Sequence, residues 1–325
     1  MNHQSRLRPT GSILERAAEI FDLEAAFQRQ PDREAPSAPP PSPDEPEAVE
    51  GFDAPASALV LAEPWTPPEP EPLLLATPEP SGERTATIDR ALLREGGFIE
   101  ADGPVSGLAE EFRILKRQLL LGTGGRAGIP DAKRQTILVC SAQPDEGKTF
   151  CAINLALSMA GEKDLEVLLI DGDFVNPSVP GLLGLPADPG LTDALADPGC
   201  DPNDFVIQTD IEGLSVLPAG KHANNITELL ASERTSQVLD ALTRQTRKRV
   251  LVFDSPPALV ASPASVLASH AGQIMMVVRA DRTTEADLRE AVSLLSACDT
   301  INLLLNRASL AVSGRRFGSY YGHGE

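Results

Sequence analysis

Arg134-Gln-Thr-Ile-Leu-Val-Cys-Ser-Ala-Gln-Pro-Asp-Glu-Gly-Lys-Thr149 opens as an apolar run of β type and passes through a loop. It then leads into a second apolar run, Phe150 to Ala160, stopped by Gly161. The spacing Ala142-x-x-x-x-Gly147-Lys148-Thr149, set between a strand (Thr136 to Cys140) and a helix, is what a phosphate-binding loop requires, with Ala142 where Gly is commonest. Successive backbone N–H groups of such a loop, with the positive end of the following helix, form a concave anion site. Lys148 is expected to reach the β- and γ-phosphates and the Thr149 hydroxyl to hold Mg2+. The expected nucleotide-binding stretch is therefore Ala142, Gln143, Pro144, Asp145, Glu146, Gly147, Lys148, Thr149 and Phe150.

Downstream, strand-like runs alternate with helical stretches: Glu166 to Asp171, Leu214 to Leu217, Arg249 to Asp254, Gln273 to Val278 and Ile301 to Leu305. Strands separated by helices imply crossovers, so the expected fold class is α/β: a P-loop, doubly wound, mostly parallel sheet with helices on both faces. Ligands of such sheets bind at the carboxyl ends of the strands. Asp254 closes one apolar run there and is the expected second acid of the nucleotide site, a hard oxygen ligand suited to Mg2+. Asp171 and Asp173 add a carboxylate pair at another strand end. Two acids so placed can divide the work, one ligating metal and the other accepting a proton from an attacking hydroxyl. The expected catalytic residues are Lys148, Asp171, Asp173 and Asp254, with Thr149, Asp173 and Asp254 on the metal side.

The composition around this body is uneven. Residues 31–83 carry 15 of the 29 prolines, 12 acidic residues and a single basic one, Arg33, and so account for 11 of the 19 net negative charges. Such a segment buries too little apolar surface to offset chain entropy. The expected organisation is an amphipathic helix within residues 1–30, a disordered acidic Pro-rich linker over 31–84, a P-loop domain over 85–310, and a flexible tail over 311–325. The N-terminal helix is read from Ser12 to Phe27, with apolar Ile13, Leu14, Ala17, Ile20, Phe21 and Leu23, and Ser12-x-x-Glu15 as a capping box. The acidic balance argues against a nucleic-acid partner. Four cysteines without metal-ligand spacing suggest a reduced, intracellular protein. No apolar run approaches the roughly 20 residues that span a bilayer, and Met1 to Arg8 lack a signal peptide's apolar stretch. Membrane association is therefore expected through a partner.

Ahead of the P-loop, Thr87 to Arg94 and Gly107 to Leu121 read as helices. The second places Phe112, Leu115, Leu119 and Leu120 on one face and Glu110, Arg113 and Lys116 or Arg117 on another. From residues alone that charged face is an exposed surface of paired charges.

From about Thr85 to the end the chain resembles the bacterial tyrosine autokinases of exopolysaccharide synthesis, especially the soluble form associated with exosortase-type gene clusters. The residues that carry the resemblance are Ser141 to Thr149; Leu168-Leu-Ile-Asp-Gly-Asp173 with Pro177 and Ser178; Gly190-Leu-Thr-Asp193; Leu217-Pro-Ala-Gly220; Phe253-Asp-Ser-Pro-Pro257; and Leu305-Asn306-Arg307. The resemblance implies ATP and Mg2+ as cofactors, with Asn306 and Arg307 on the adenine side. It also implies autophosphorylation of a C-terminal tyrosine cluster by a neighbouring subunit, here Tyr320 and Tyr321, the only tyrosines in the chain. Glu110-x-x-Arg113-x-x-Lys116 resembles the family's Glu-x-x-Arg-x-x-Arg helix, which implies subunit contacts in a homo-oligomeric ring. A membrane-embedded polysaccharide chain-length regulator, a separate polypeptide, would hold this cytoplasmic protein at the inner membrane. Lys116 in place of the usual Arg weakens planar bidentate pairing in that contact.

Two other classes share these features. A ParA/MinD-type ATPase has the same sheet and loop, but normally carries Lys where this chain has Gln143. A non-enzymatic, nucleotide-binding adaptor of a polysaccharide export complex is consistent with the shortened tyrosine cluster.

Overall fold

Apolar runs buried on both sides make the central strands. All six residues of Thr136–Ser141 are buried, as are six of the seven in Lys248–Asp254. A computed structural model describes residues 84–308, apart from 101–102, 105, 124–128 and 246. The expected N-terminal helix, most of the Pro-rich segment and the tail tyrosines lie outside the described residues.

The strands are β1 (Arg84–Ala86), β2 (Thr136–Ser141), β3 (Leu165–Asp171), β4 (Ile207–Thr209), β5 (Leu214–Leu217), β6 (Lys248–Asp254), β7 (Gln273–Arg279) and β8 (Ile301–Asn306). The helices are α1 (Arg90–Glu95), α2 (Gly107–Gly122), α3 (Asp131–Arg134), α4 (Lys148–Ala160), α5 (Val179–Leu183), α6 (Leu191–Ala196), α7 (Ile226–Ala231), α8 (Glu233–Thr243), α9 (Pro263–His270) and α10 (Glu285–Leu294). The strands form one eight-stranded sheet in the order β1-β4-β5-β3-β6-β2-β7-β8. Every neighbouring pair is parallel except β4 with β5. This is the α/β architecture expected from the alternation of runs.

Side chains alternate between the two sheet faces. Ile137 and Val139 of β2 join one core layer with Ile153, Leu155 and Met159 of α4 and with Phe112 and Leu119 of α2. Leu138 and Cys140 join the other layer with Val238, Leu239 and Leu242 of α8 and Leu267 of α9. Each fully buried aliphatic side chain contributes about 1.5–3 kcal/mol, so the sheet centre holds the fold and leaves the loops at its carboxyl edge free for chemistry.

Two edge details differ from expectation. Strands β1 and β4 were not foreseen, because three residues are too few to show a period. The first helix begins at Arg90 and not at Thr87: Asp89 caps it by accepting the Ala91 N–H at 2.7 Å, while the Ile88 N–H is drawn off to Asp210 Oδ1 at 2.8 Å. Register aligns the carboxyl ends of the strands, with Asp171 opposite Asp254, Ser141 opposite Val277, and Arg279 opposite Asn306.

Candidate active site

The P-loop runs from β2 into α4. Gly147, at φ 95°, is the residue before the helix and occupies the left-handed region that glycine enters without strain. A Cβ there would also meet the Asn306 amide nitrogen at 2.2 Å. Helix α4 starts without a side-chain cap, so its first N–H groups are available to an anion.

Lys148 Nζ lies 2.8 Å from Asp173 Oδ2 and 3.4 Å from Thr149 Oγ1. Burial acts to lower the Lys148 pKa, but Asp254, Asp173 and Asp171 together outweigh it and the pKa is raised. Lys148 is thus a secure cation. Glycine at position 172 brings these acids together: its N–H donates to the Asp254 carbonyl at 2.7 Å, and a Cβ there would stand 2.8 Å from that oxygen.

The three carboxylates differ in their surroundings. Asp171 is fully buried and accepts from the backbone N–H groups of Asp173 at 3.2 Å, Ser178 at 2.9 Å and Val179 at 3.0 Å. Burial raises its pKa to about 6 against the pull of those donors. It staples the loop after β3. Asp173 accepts from the Asn176 N–H at 3.1 Å with one oxygen and pairs with Lys148 through the other. Asp254 is also fully buried, and burial pushes its pKa up to about 7 against the Lys148 charge and the Thr149 hydroxyl. Thr149 is near enough to act on Asp254 without reaching hydrogen-bonding geometry, for neither Asp254 oxygen has a hydrogen-bond partner.

Three acids face one lysine, and two buried carboxylate oxygens lack donors. That donor set, with the Thr149 hydroxyl, fits a hard divalent cation. Among the described residues no three His, Cys, Asp or Glu side chains form a metal cage of their own. A cation here would complete its shell with nucleotide oxygens and water.

The remaining expected residues divide. Ala142 is fully buried in the core layer facing α8 and α9. Pro144 and Asp145 are exposed at the loop's crest. The Phe150 ring stacks on Phe98 at 5.3 Å, so its side chain belongs to the packing under α4 and only its backbone faces the loop. Asn306, expected beside adenine, donates its amide to the Glu146 carbonyl at 2.9 Å, and its oxygen accepts from the Arg307 N–H at 2.8 Å. It braces the loop itself. Arg307 is exposed at φ 54° just beyond β8.

Glu110 and Arg113 are ion-paired on the open side of α2 at 3.0 Å. Lys116, expected with them, is instead buried: its Nζ reaches the Ser158 carbonyl at 2.7 Å and Glu162 at 2.6 Å. It grips the far end of α4, about 15 Å along that helix from Lys148. Tyr320 and Tyr321 lie outside the described residues.

Sequence reasoning missed a set of residues behind the P-loop. Thr283 donates to Glu146 Oε1, Gln143 Nε2 donates to Asp287 Oδ1 at 3.2 Å, and Arg279 Nη1 donates to the Asp145 carbonyl at 3.2 Å. The only legible signal was Thr284-x-x-Asp287, a capping box that starts α10.

Residues 132–304 match the ParA family, described as the NUBPL iron-transfer P-loop NTPase. The tyrosine-protein kinase CpsD of Streptococcus agalactiae is 26% identical over 198 residues, which cover 59% of this chain and 83% of CpsD. EpsB of Ralstonia solanacearum is 29% identical over 214 residues, 62% of this chain but only 27% of EpsB. The crystal structure of the chimerical protein CapA2B2 aligns at 25% identity with a TM-score of 0.55, over 69% of this chain and 94% of that one. The chain is a homologue of tyrosine-protein kinases. Because the family match spans more than half of the 325 residues and takes in the P-loop and all three carboxylates, the chain belongs to the ParA family of P-loop NTPases.

Proposed function

We propose that the protein is an ATP-dependent tyrosine autokinase of polysaccharide synthesis that transfers the γ-phosphoryl group to Tyr320 and Tyr321 of a neighbouring copy. The observation that carries this reading is Lys148 held against Asp173 beside the partnerless oxygens of Asp254. In that cluster a phosphate-binding cation, a metal-ready acid and a second carboxylate stand together at the head of α4. Homology to CpsD, named a tyrosine-protein kinase, supports the same chemistry. Gln143 supports it over a ParA/MinD-type switch: its side chain is bound to Asp287 of its own chain and carries no charge.

Lys148 leaves Asp173 to neutralise charge on the phosphates as they bind. Thr149 and Asp254 would hold Mg2+, which when bound would help offset the negative charge of the phosphates. The phenol oxygen attacks the γ-phosphorus, the bond to the β-phosphate oxygen breaks with its electron pair leaving on ADP, and the phenol proton passes to Asp173. Asp171 is less suited to that last step, since three backbone donors already occupy it. Asn306 and Arg307, at the sheet edge beside the loop, flank the adenine.

A separate membrane-embedded chain-length regulator is the proposed partner and brings the chain to the inner membrane from the cytoplasmic side. The relative CapA2B2 was solved as a chimerical protein, consistent with two polypeptides working together. No helix among the described residues is long and apolar enough to cross a membrane.

The test mixes a Lys148→Met chain that keeps its tyrosines with an active chain carrying Tyr320→Phe and Tyr321→Phe, in the presence of Mg-ATP. Phosphate on the Lys148→Met chain is expected. If wild type alone is labelled while that chain stays bare, transfer is intramolecular; if wild type alone gains no phosphate, the kinase reading fails.

A further inference from the structure

Glu146 is an unusual neighbour for an anion. It stands immediately before Gly147 and Lys148, in the loop that must attract phosphate, and a free carboxylate there would oppose binding. The fold disposes of it. Glu146 is fully buried; its Oε2 accepts the Gln143 N–H at 3.0 Å across the loop, and its Oε1 accepts the Thr283 hydroxyl.

Thr283 is itself fixed. Its hydroxyl oxygen accepts the Arg279 N–H at 2.9 Å, so it receives one hydrogen bond from the end of β7 and passes one to the loop. The turn that carries it contains Asp281 at φ 60°, in the left-handed region. Around this contact Arg279 holds the Asp145 carbonyl, Asp287 holds the Gln143 side chain and Asn306 holds the Glu146 carbonyl. Three loop residues are thus tied by Arg279 of β7, Thr283 of the connection, Asp287 of α10 and Asn306 of β8. Only the Thr283 contact takes up the carboxylate's second oxygen.

From this arrangement we infer that Thr283 is a positioning residue for nucleotide binding: acting through Glu146, it keeps the carboxylate turned out of the phosphate concavity and the loop in its receiving shape. It touches neither phosphate nor metal. Losing it leaves Glu146 Oε1 without a donor, and a carboxylate so deprived turns toward the nearest N–H groups, those that the phosphates need. The inference rests on the loop's being a nucleotide site and not on what the phosphoryl group is transferred to.

The test is direct binding of ADP and ATP, each with Mg2+, to the full chain by titration calorimetry, alongside steady-state kinetics and melting temperature. Thr283→Val keeps the shape and removes both hydrogen bonds; Thr283→Ser keeps the hydroxyl. The expected result is about a tenfold loss of affinity for both nucleotides in Thr283→Val, the scale of one hydrogen bond to a charged group. KM for ATP should rise in step, kcat should change little, and Thr283→Ser should restore wild-type binding. If Thr283→Val proves too unstable to titrate, Thr283→Ala, which removes the hydroxyl without adding an apolar branch, takes its place. Wild-type affinity in the hydroxyl-free variant, or equal losses in Val and Ser, would overturn the inference while leaving the nucleotide site intact. A wild-type chain that binds neither nucleotide would overturn the site itself.

Discussion

Asp254 shows how a single buried side chain can weigh against the fold. Its carboxylate is fully buried and has no hydrogen-bond partner, a placement that costs stability when it ionises. Burial holds its folded-state pKa at about 7, above the ordinary value of about 3.9 in an unfolded chain. Between those two values the folded protein holds more protons than the unfolded one, so this group's contribution to stability falls as pH rises through that window and stays low above it. Asp254→Asn, measured in EDTA without nucleotide, is therefore expected to raise the melting temperature at pH 8 by ~3 °C or more. The gain should shrink as pH is lowered toward 4. The same variant should lose nearly all phosphoryl transfer. A melting temperature that drops at pH 8 would mean that attraction to the Lys148 charge outweighs the cost of burying the ionised carboxylate.

Helix α2 shows what an element's sequence does and does not reveal. Its existence and its apolar face were legible, from Gly107 through Phe112, Leu115 and Leu119, because spacing near the helical period leaves a plain mark. The burial of Lys116 was not. Three residues fall about 60° short of a full turn, so the series 110, 113, 116 drifts by about 120° and carries its last member toward the apolar face. A long side chain can follow its own stem inward and deliver the charge to a carbonyl, which is what Lys116 does at Ser158.

The consequence can be measured. Lys116→Met keeps the stem and removes the charge, and should lower the melting temperature by roughly 3–8 °C through loss of a buried charged hydrogen bond. Glu162 is 43% exposed, so its share of that loss is small. Glu110→Ala with Arg113→Ala should leave the melting temperature within about 1 °C while shifting the sedimenting species toward monomer. Equal thermal effects from both changes, or an oligomer lost with Lys116→Met and retained with the double variant, would reverse this division of labour.

At the scale of the molecule, the sheet made its own plan legible because β2, β3, β6 and β7 are apolar nearly throughout, and acids at the ends of β3 and β6 could only meet at one edge. Contacts made between elements distant in sequence were not legible. The ties from Thr283, Asp287 and Asn306 to the loop at 143–146 bridge well over a hundred residues and follow no period. The same topology bears on where phosphate should go. Strand β8 ends at Asn306, which is bonded to the P-loop, so the chain leaves the sheet beside its own nucleotide site. This exit is consistent with the proposal that the acceptor tyrosines are served by a neighbouring copy's site. Arg315 and Arg316, just upstream of the two tyrosines, would favour an acidic, phosphate-bearing pocket. Each phosphate gained would add about −1.5 to −2 charge and drive the tail out again.

The central claim, that this P-loop passes phosphate to the two tyrosines of the tail, is tested most directly by intact-mass measurement with peptide mapping after the purified chain is incubated with Mg-ATP. The expected result is a gain of one or two phosphoryl groups confined to Tyr320 and Tyr321, and no gain when Lys148 is replaced by Met. Unchanged mass with ATP bound, or phosphate mapped elsewhere while Tyr320 and Tyr321 stay bare, would contradict it.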